Sequence, residues 1–93
     1  MTFFEVYDRW LDKHKAEIKQ STVAAYYNLG KTFTRILDPD ADICSLDADV
    51  MKASFERFRD TGASNHYIAD LVRVFRMVMR YAGEDLGLSL IHI

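Results

Sequence analysis

Residues 64–82, SNHYIADLVRVFRMVMRYA, decide the fold class. Ile68, Leu71, Val72, Phe75, Val78, Met79 and Ala82 recur at i, i+3, i+4 and i+7 over this stretch. That is the period an α-helix needs to turn one apolar stripe inward. Ser64 offers its hydroxyl as the N-cap. At 100° per residue, Arg73, Arg76 and Arg80 fall within about 60° of one another, well away from the apolar centre. Gly83 and Gly87 punctuate the end of this helix.

Three more segments repeat the same period, and none sustains the period of two that a strand needs. The first helix spans about Thr2 to Glu17. Thr2 and Glu5 form a T-x-x-E capping box, and Phe3, Tyr7, Trp10, Leu11 and His14 share a face. The second spans about Thr22 to Leu37, with Ser21 or Thr22 as N-cap. Its buried stripe is Tyr26, Leu29, Gly30, Phe33, Ile36 and Leu37, and Gly30 within it implies close approach of another helix. Asn28, Lys31 and Arg35 lie opposite. Pro39 ends it, because the residue before a proline is pushed out of the α region. The third spans about Ala48 to Asp60, capped by Asp47, with Val50, Met51, Phe55 and Phe58 on its apolar face. Gly62 then suits a chain reversal. The expected architecture is all-α, a compact four-helix bundle with short connections.

Composition agrees. Ninety-three residues fit one domain, and 49% hydrophobic with 13% aromatic residues is enough to fill a core, which argues against disorder. One cysteine, Cys44, excludes an internal disulfide and fits a reducing compartment. No apolar run approaches the roughly 18 residues of a membrane span. Phe3 and Phe4 sit among charges, unlike a signal peptide.

The formal net charge of −2 conceals an uneven distribution. Residues 9–37 sum to +4, residues 38–63 to −4, and residues 64–93 balance three arginines against Asp70, Glu84 and Asp85. Local patches, more than the net value, decide what binds.

No catalytic set is legible. There is no nucleophile elbow, no Gly-rich phosphate loop and no Cys/His cluster. His14, His66 and His92 are dispersed, and Cys44 has no adjacent base. Asp38-Pro39-Asp40-Ala41-Asp42 begins like a calcium loop. However, Ile43 stands where the sharp turn needs Gly, and Asp49 where a bidentate Glu belongs. The expectation is an acidic, solvated connection whose Ile43 and Leu46 tuck into the core, with no metal and no cofactor.

The order of these signals resembles the core-binding domain of tyrosine recombinases and phage-type integrases, a SAM-like N-terminal helical module. The matching stretches begin with the aromatic-rich opening helix, Phe3-Phe4-Glu5-Val6-Tyr7-Asp8-Arg9-Trp10-Leu11. Next come Ser21-Thr22-Val23-Ala24-Ala25-Tyr26, with a Thr four residues ahead of a Tyr, then Leu29, Phe33, Ile36 and Leu37. Ile43-Cys44-Ser45-Leu46-Asp47 matches the family's lead-in to its third helix. Gly62-Ala63-Ser64, Ile68, Leu71, Arg73, Tyr81-Ala82 and Gly87-Leu88 complete the likeness. It covers about residues 2–88. Tyr67 stands where the family often has Thr, and the usual Asn-Pro after the module is replaced by Ser-Leu-Ile-His-Ile.

The resemblance implies a DNA-binding domain over residues 1–88, with 89–93 a tail or the start of a linker to an absent catalytic domain. No His-x-x-Arg occurs, and each of the five tyrosines lies in a helix pattern. The chain is therefore expected to be no enzyme alone, and to be a fragment of a cytoplasmic, nucleoid-associated recombinase of a bacterium or phage. Its partner is duplex DNA, held in half of a C-shaped clamp by the second and fourth helices, with no membrane and no small-molecule substrate. The isolated domain is expected to be a monomer. The implied contact set is Lys19, Ser21, Thr22, Tyr27 and Lys31 on the second helix, and Ser64, Asn65, His66, Arg73 and Arg76 on the fourth. Helix N-termini suit phosphate, cations release counterions, and phosphate contacts dominate such interfaces. The competing reading is a helical protein-interaction module, with the acidic 38–60 region and the apolar tail as its contact surface.

Overall fold

One phenylalanine from each helix meets at the centre of the molecule. The computed structural model describes residues 1–88 and contains four α-helices: α1 (Phe3–His14), α2 (Gln20–Ile36), α3 (Ala48–Arg59) and α4 (Asn65–Glu84). Phe3 of α1 stacks on Phe75 of α4 with ring centroids 5.5 Å apart. Phe33 of α2 lies 5.1 Å from Phe3, and Phe55 of α3 lies 6.0 Å from Phe75. Trp10, Ile43, Leu71, Val74 and Val78 are fully buried around this junction. α1 packs on α2 and α4, and α3 packs on the same two helices, so the four close into a ring. The Cα radius of gyration of 12.9 Å is what a chain of this length reaches when packed. The all-α expectation holds: among the described residues the only strand-like pairing is an isolated bridge between Thr2 and Asp42.

Local chemistry sets the helix ends. Thr2 Oγ1 accepts the Glu5 N–H at 3.2 Å and Glu5 Oε1 accepts the Thr2 N–H at 3.1 Å, a complete capping box. The Ile43 N–H donates to the Met1 carbonyl at 2.8 Å, which ties the start of α1 to the α2–α3 connection. In that connection Ile43–Ser45 form a 3-10 turn capped by Asp42, with Ile43 and Leu46 buried as expected. Asp47 caps α3 through the Val50 N–H, and Ser64 caps α4 through the Tyr67 N–H.

Several boundaries and faces differ from the sequence reading. α1 stops at His14, not Glu17, because the Glu17 N–H tightens onto the His14 carbonyl. α2 starts at Gln20, and neither Ser21 nor Thr22 caps it. Lys19 is the N-cap and makes no side-chain bond, and its carbonyl accepts from both Thr22 and Val23. Gln20 and Ser21 are exposed, so water can satisfy the free N–H groups of this first turn. α4 runs through Gly83 to Glu84, and the left-handed residue that follows is Gly87 (φ 65°). In α3, Val50 is 49% exposed and Ser54 takes the buried place, its hydroxyl donating to the Val50 carbonyl at 2.9 Å. Met51, Ser54, Phe55 and half-buried Phe58 are the residues that face inward. Val6 and Val74, outside the expected stripes, are fully buried.

Gly30 fulfils its expected role. A Cβ there would lie 3.0 Å from Cε1 of Tyr7, so the absent methyl is what lets α1 and α2 close. The tail, residues 89–93, lies outside the described residues.

Candidate nucleic-acid interface

The arginine stripe of α4 lies on a surface groove. Arg73, Arg76 and Arg80 stand one or two turns apart on the outer face and are all exposed. With Asn65 and Arg59 they line a groove of about 530 Å³, whose apolar wall includes Val72 and Met77. No carboxylate lines it. Among the described residues Arg59, Arg76 and Arg80 have no carboxylate within ion-pair distance. Four guanidiniums along one groove, of which only Arg73 has a carboxylate beside it (Asp70, 3.7 Å), make a concentrated positive potential, and each planar fork suits a phosphate oxygen pair.

Arg59 reaches this groove through the α3–α4 reversal. Thr61 and Gly62 close the turn by bonds back to Phe58 and Arg59, and Gly62 takes φ 103°, a left-handed conformation that side chains resist. The last turn of α3 is thereby laid beside the first turns of α4. Neither Arg59 nor Arg80 belongs to the contact set implied by the resemblance. Arg80 was visible in the helical period. Arg59 sits in the segment that sums to −4, and only the packing of α3 on α4 brings it out of that context.

At the N-terminus of α4, Ser64 uses its hydroxyl on the Tyr67 N–H, while Asn65 and His66 remain exposed. Asp70 stands between His66 and Arg73, 3.8 Å from His66 Nε2 and 3.7 Å from Arg73 Nη2. Both pairs are exposed and loose, so they hold these side chains weakly. Asp70 nevertheless opposes any anion that approaches this edge.

The α2 candidates form a second surface. Tyr27 is 62% exposed and lines a shallow depression with Gln20, Val23, Ala24 and Asn28. The Lys31 ammonium sits 5.8 Å from the Tyr27 ring centroid, a cation–π arrangement. Lys19 and Ser21 are exposed and Thr22 is half-buried. No residue belongs to both this depression and the arginine groove. A side-chain link between α2 and α4 comes from Thr32 Oγ1 and the Tyr67 hydroxyl, 2.5 Å apart, with the Tyr67 ring 6.3 Å from Phe58. Tyr67 thus joins three helices.

Apart from Lys13, whose ammonium is held up by its bond with Asp85, the groups with perturbed acidity belong to caps and core. Glu5 is held low by its bonds with Thr2, and Asp42 by the Cys44 N–H. Burial pushes the Tyr7 phenol up, where its hydroxyl donates to the Tyr26 carbonyl at 2.5 Å. Burial, then the Asp42 carboxylate, raises the Cys44 thiol, the opposite of what an activated nucleophile needs. Asp38 and Asp42 of the acidic stretch accept backbone N–H groups of Asp40 and Cys44. Among the described residues no group of three metal-ligating side chains converges. Nor is any helix there long and apolar enough to cross a membrane.

Comparison with protein-family models, curated proteins and solved structures yields no match.

Proposed function

We propose that this chain is a duplex-DNA-binding module of the tyrosine-recombinase type, a core-binding domain that grips DNA and leaves strand cleavage to another domain. The observation that carries the reading is the groove lined by Arg59, Arg73, Arg76 and Arg80, with no carboxylate in its lining. The ordered helical likeness over residues 2–88 supports it. So does the exposed patch around Tyr27 on α2, the other helix the family uses. Groove and patch supply cations and an aromatic ring, and neither supplies a nucleophile with its base.

Fluorescence anisotropy of a labelled duplex at low salt tests the proposal. Binding is expected to be weak and to fall steeply with salt, because each neutralised phosphate releases counterions. Arg73→Ala with Arg76→Ala is expected to weaken binding without moving the thermal midpoint. Absence of any anisotropy change at low salt, including with a core-site duplex, refutes the reading.

A protein-interaction module is the second reading, favoured by one feature. The α3–α4 cleft, about 430 Å³, has Met51, Phe55 and Phe75 at its base and Lys52, Glu56 and Arg76 at its rim. A chain that ignores DNA and self-associates, or captures an amphipathic helix, would support that alternative.

A further inference from the structure

We infer that the phosphate contacts of this module are concentrated on α4 and the end of α3, with Arg59 and Arg80 as full members, and that the α2 lysines contribute little. The inference rests on the DNA-binding reading and specifies which surface of the chain the DNA backbone occupies.

Spacing is the first argument. Arg73 to Arg80 is about 10.5 Å along a helix rising 1.5 Å per residue. Successive phosphates of one strand advance about 3.4 Å along the duplex axis and also wind around it, so they lie about twice that far apart and the stripe spans roughly two of them. Arg59, from the neighbouring helix, widens the row into a cradle.

Field is the second. The wall between the guanidiniums is apolar, through Ile68, Val72 and Met77, and holds no carboxylate. Low-dielectric walls of one sign of charge focus potential on an anion. The α2 depression has no charged residue in its lining, and Lys31 already engages the Tyr27 ring. Lysine is also a compact point charge, without the bidentate fork that matches phosphate.

Sequence blindness is the third. Asn65 is the one amide side chain lining the groove. A surface of arginines and aliphatic groups grips the backbone and reads few base edges, which leaves discrimination to other contacts.

The test compares salt dependence for two paired variants of the 93-residue chain on a 30-bp duplex of arbitrary sequence. Arg59→Gln with Arg80→Gln is expected to flatten the slope of log K against log salt by about 1.8, the loss of two phosphate contacts. The drop in affinity between 50 and 200 mM salt then shrinks by about 12-fold relative to the parent. Lys19→Gln with Lys31→Gln is expected to leave the slope within about 0.5 of the parent. Arg59→Lys with Arg80→Lys is expected to keep most of the slope, which separates charge from fold, and circular dichroism verifies folding of each variant. An equal or larger loss of slope from the lysine pair overturns the inference while DNA binding stands. Absence of binding by the parent overturns both.

Discussion

Replacing Gly30 by alanine sets two effects of known size against each other. In an exposed helix interior the change is stabilising, since alanine is favoured over glycine by about 0.8–1 kcal/mol. Here the new methyl would sit 3.0 Å from Cε1 of Tyr7 and 3.5 Å from Cδ1 and Cζ. The ring must therefore retreat by a few tenths of an ångström. It is poorly placed to do so. Its hydroxyl is bonded to the Tyr26 carbonyl, on the same helix as Gly30, and its face and edges meet Phe3, Trp10 and Phe33 at centroid distances of 5.8, 5.4 and 5.9 Å. Overpacking a filled core costs about 1–3 kcal/mol. The overpacking term wins, and the net effect is a loss of about 1 kcal/mol, near 4–8 °C in midpoint for a domain of this size. Urea and thermal melts followed by circular dichroism measure it. In a Tyr7→Leu background the obstructing ring is gone, and Gly30→Ala is expected to be neutral or stabilising, a coupling of about 1–2 kcal/mol in the double-mutant cycle. If Gly30→Ala in the parent raised stability by the full helix propensity, close approach at this crossing would be refuted.

Other expectations follow from single contacts. Ser64→Ala removes the α4 cap and is expected to cost about 1 kcal/mol, read as a lower urea midpoint at an unchanged m-value. Asp70→Asn removes the acid between His66 and Arg73 and, on the proposed DNA-binding function, is expected to tighten binding a few-fold at 50 mM salt, with the gain vanishing at high salt. The Asp42 carboxylate is held below its ordinary value by the Cys44 N–H. Its contribution to stability is present above the unfolded-state value and is lost as pH falls through the lowered one. Asp42→Asn is accordingly expected to blunt the acid-side loss of stability in melts run from neutral pH down to about pH 3.

The residues show why some of this was legible and some was not. Phe3, Phe33, Phe55 and Phe75 each stood on a periodic apolar face, and the four faces converge because each helix has one inside to fill. The caps of α1, α3 and α4 were legible because a hydroxyl or carboxylate two or three residues ahead of its N–H is a local arrangement. The start of α2 was not, since an exposed first turn solvated by water leaves no cap to find. Val50 and Ser54 exchanged places because only the packing of α3 on its neighbours fixes its rotation. The candidate interface divided along the same line. Arg73, Arg76 and Arg80 share a helix and could be grouped by angle. Arg59 joined them through a tertiary contact, against the charge of its own segment. The α2 residues were grouped with α4 by the resemblance, whereas in the folded chain none of them lines the arginine groove and Tyr27 lines a separate depression.

The four-phenylalanine junction bears on how this domain comes apart. Phe3 and Phe75 lie near opposite ends of the helical sequence, and each stacks on the other. No helix can peel away without opening the centre to water and stripping the remaining rings of a partner. The amides that hold α1 and α4 are therefore expected to exchange hydrogen only with global unfolding, as one cooperative unit. A surface carried on such a unit keeps its arginines in register for as long as the protein is folded at all. Any loosening of the first helix would be felt on the outer, arginine-bearing face of the fourth.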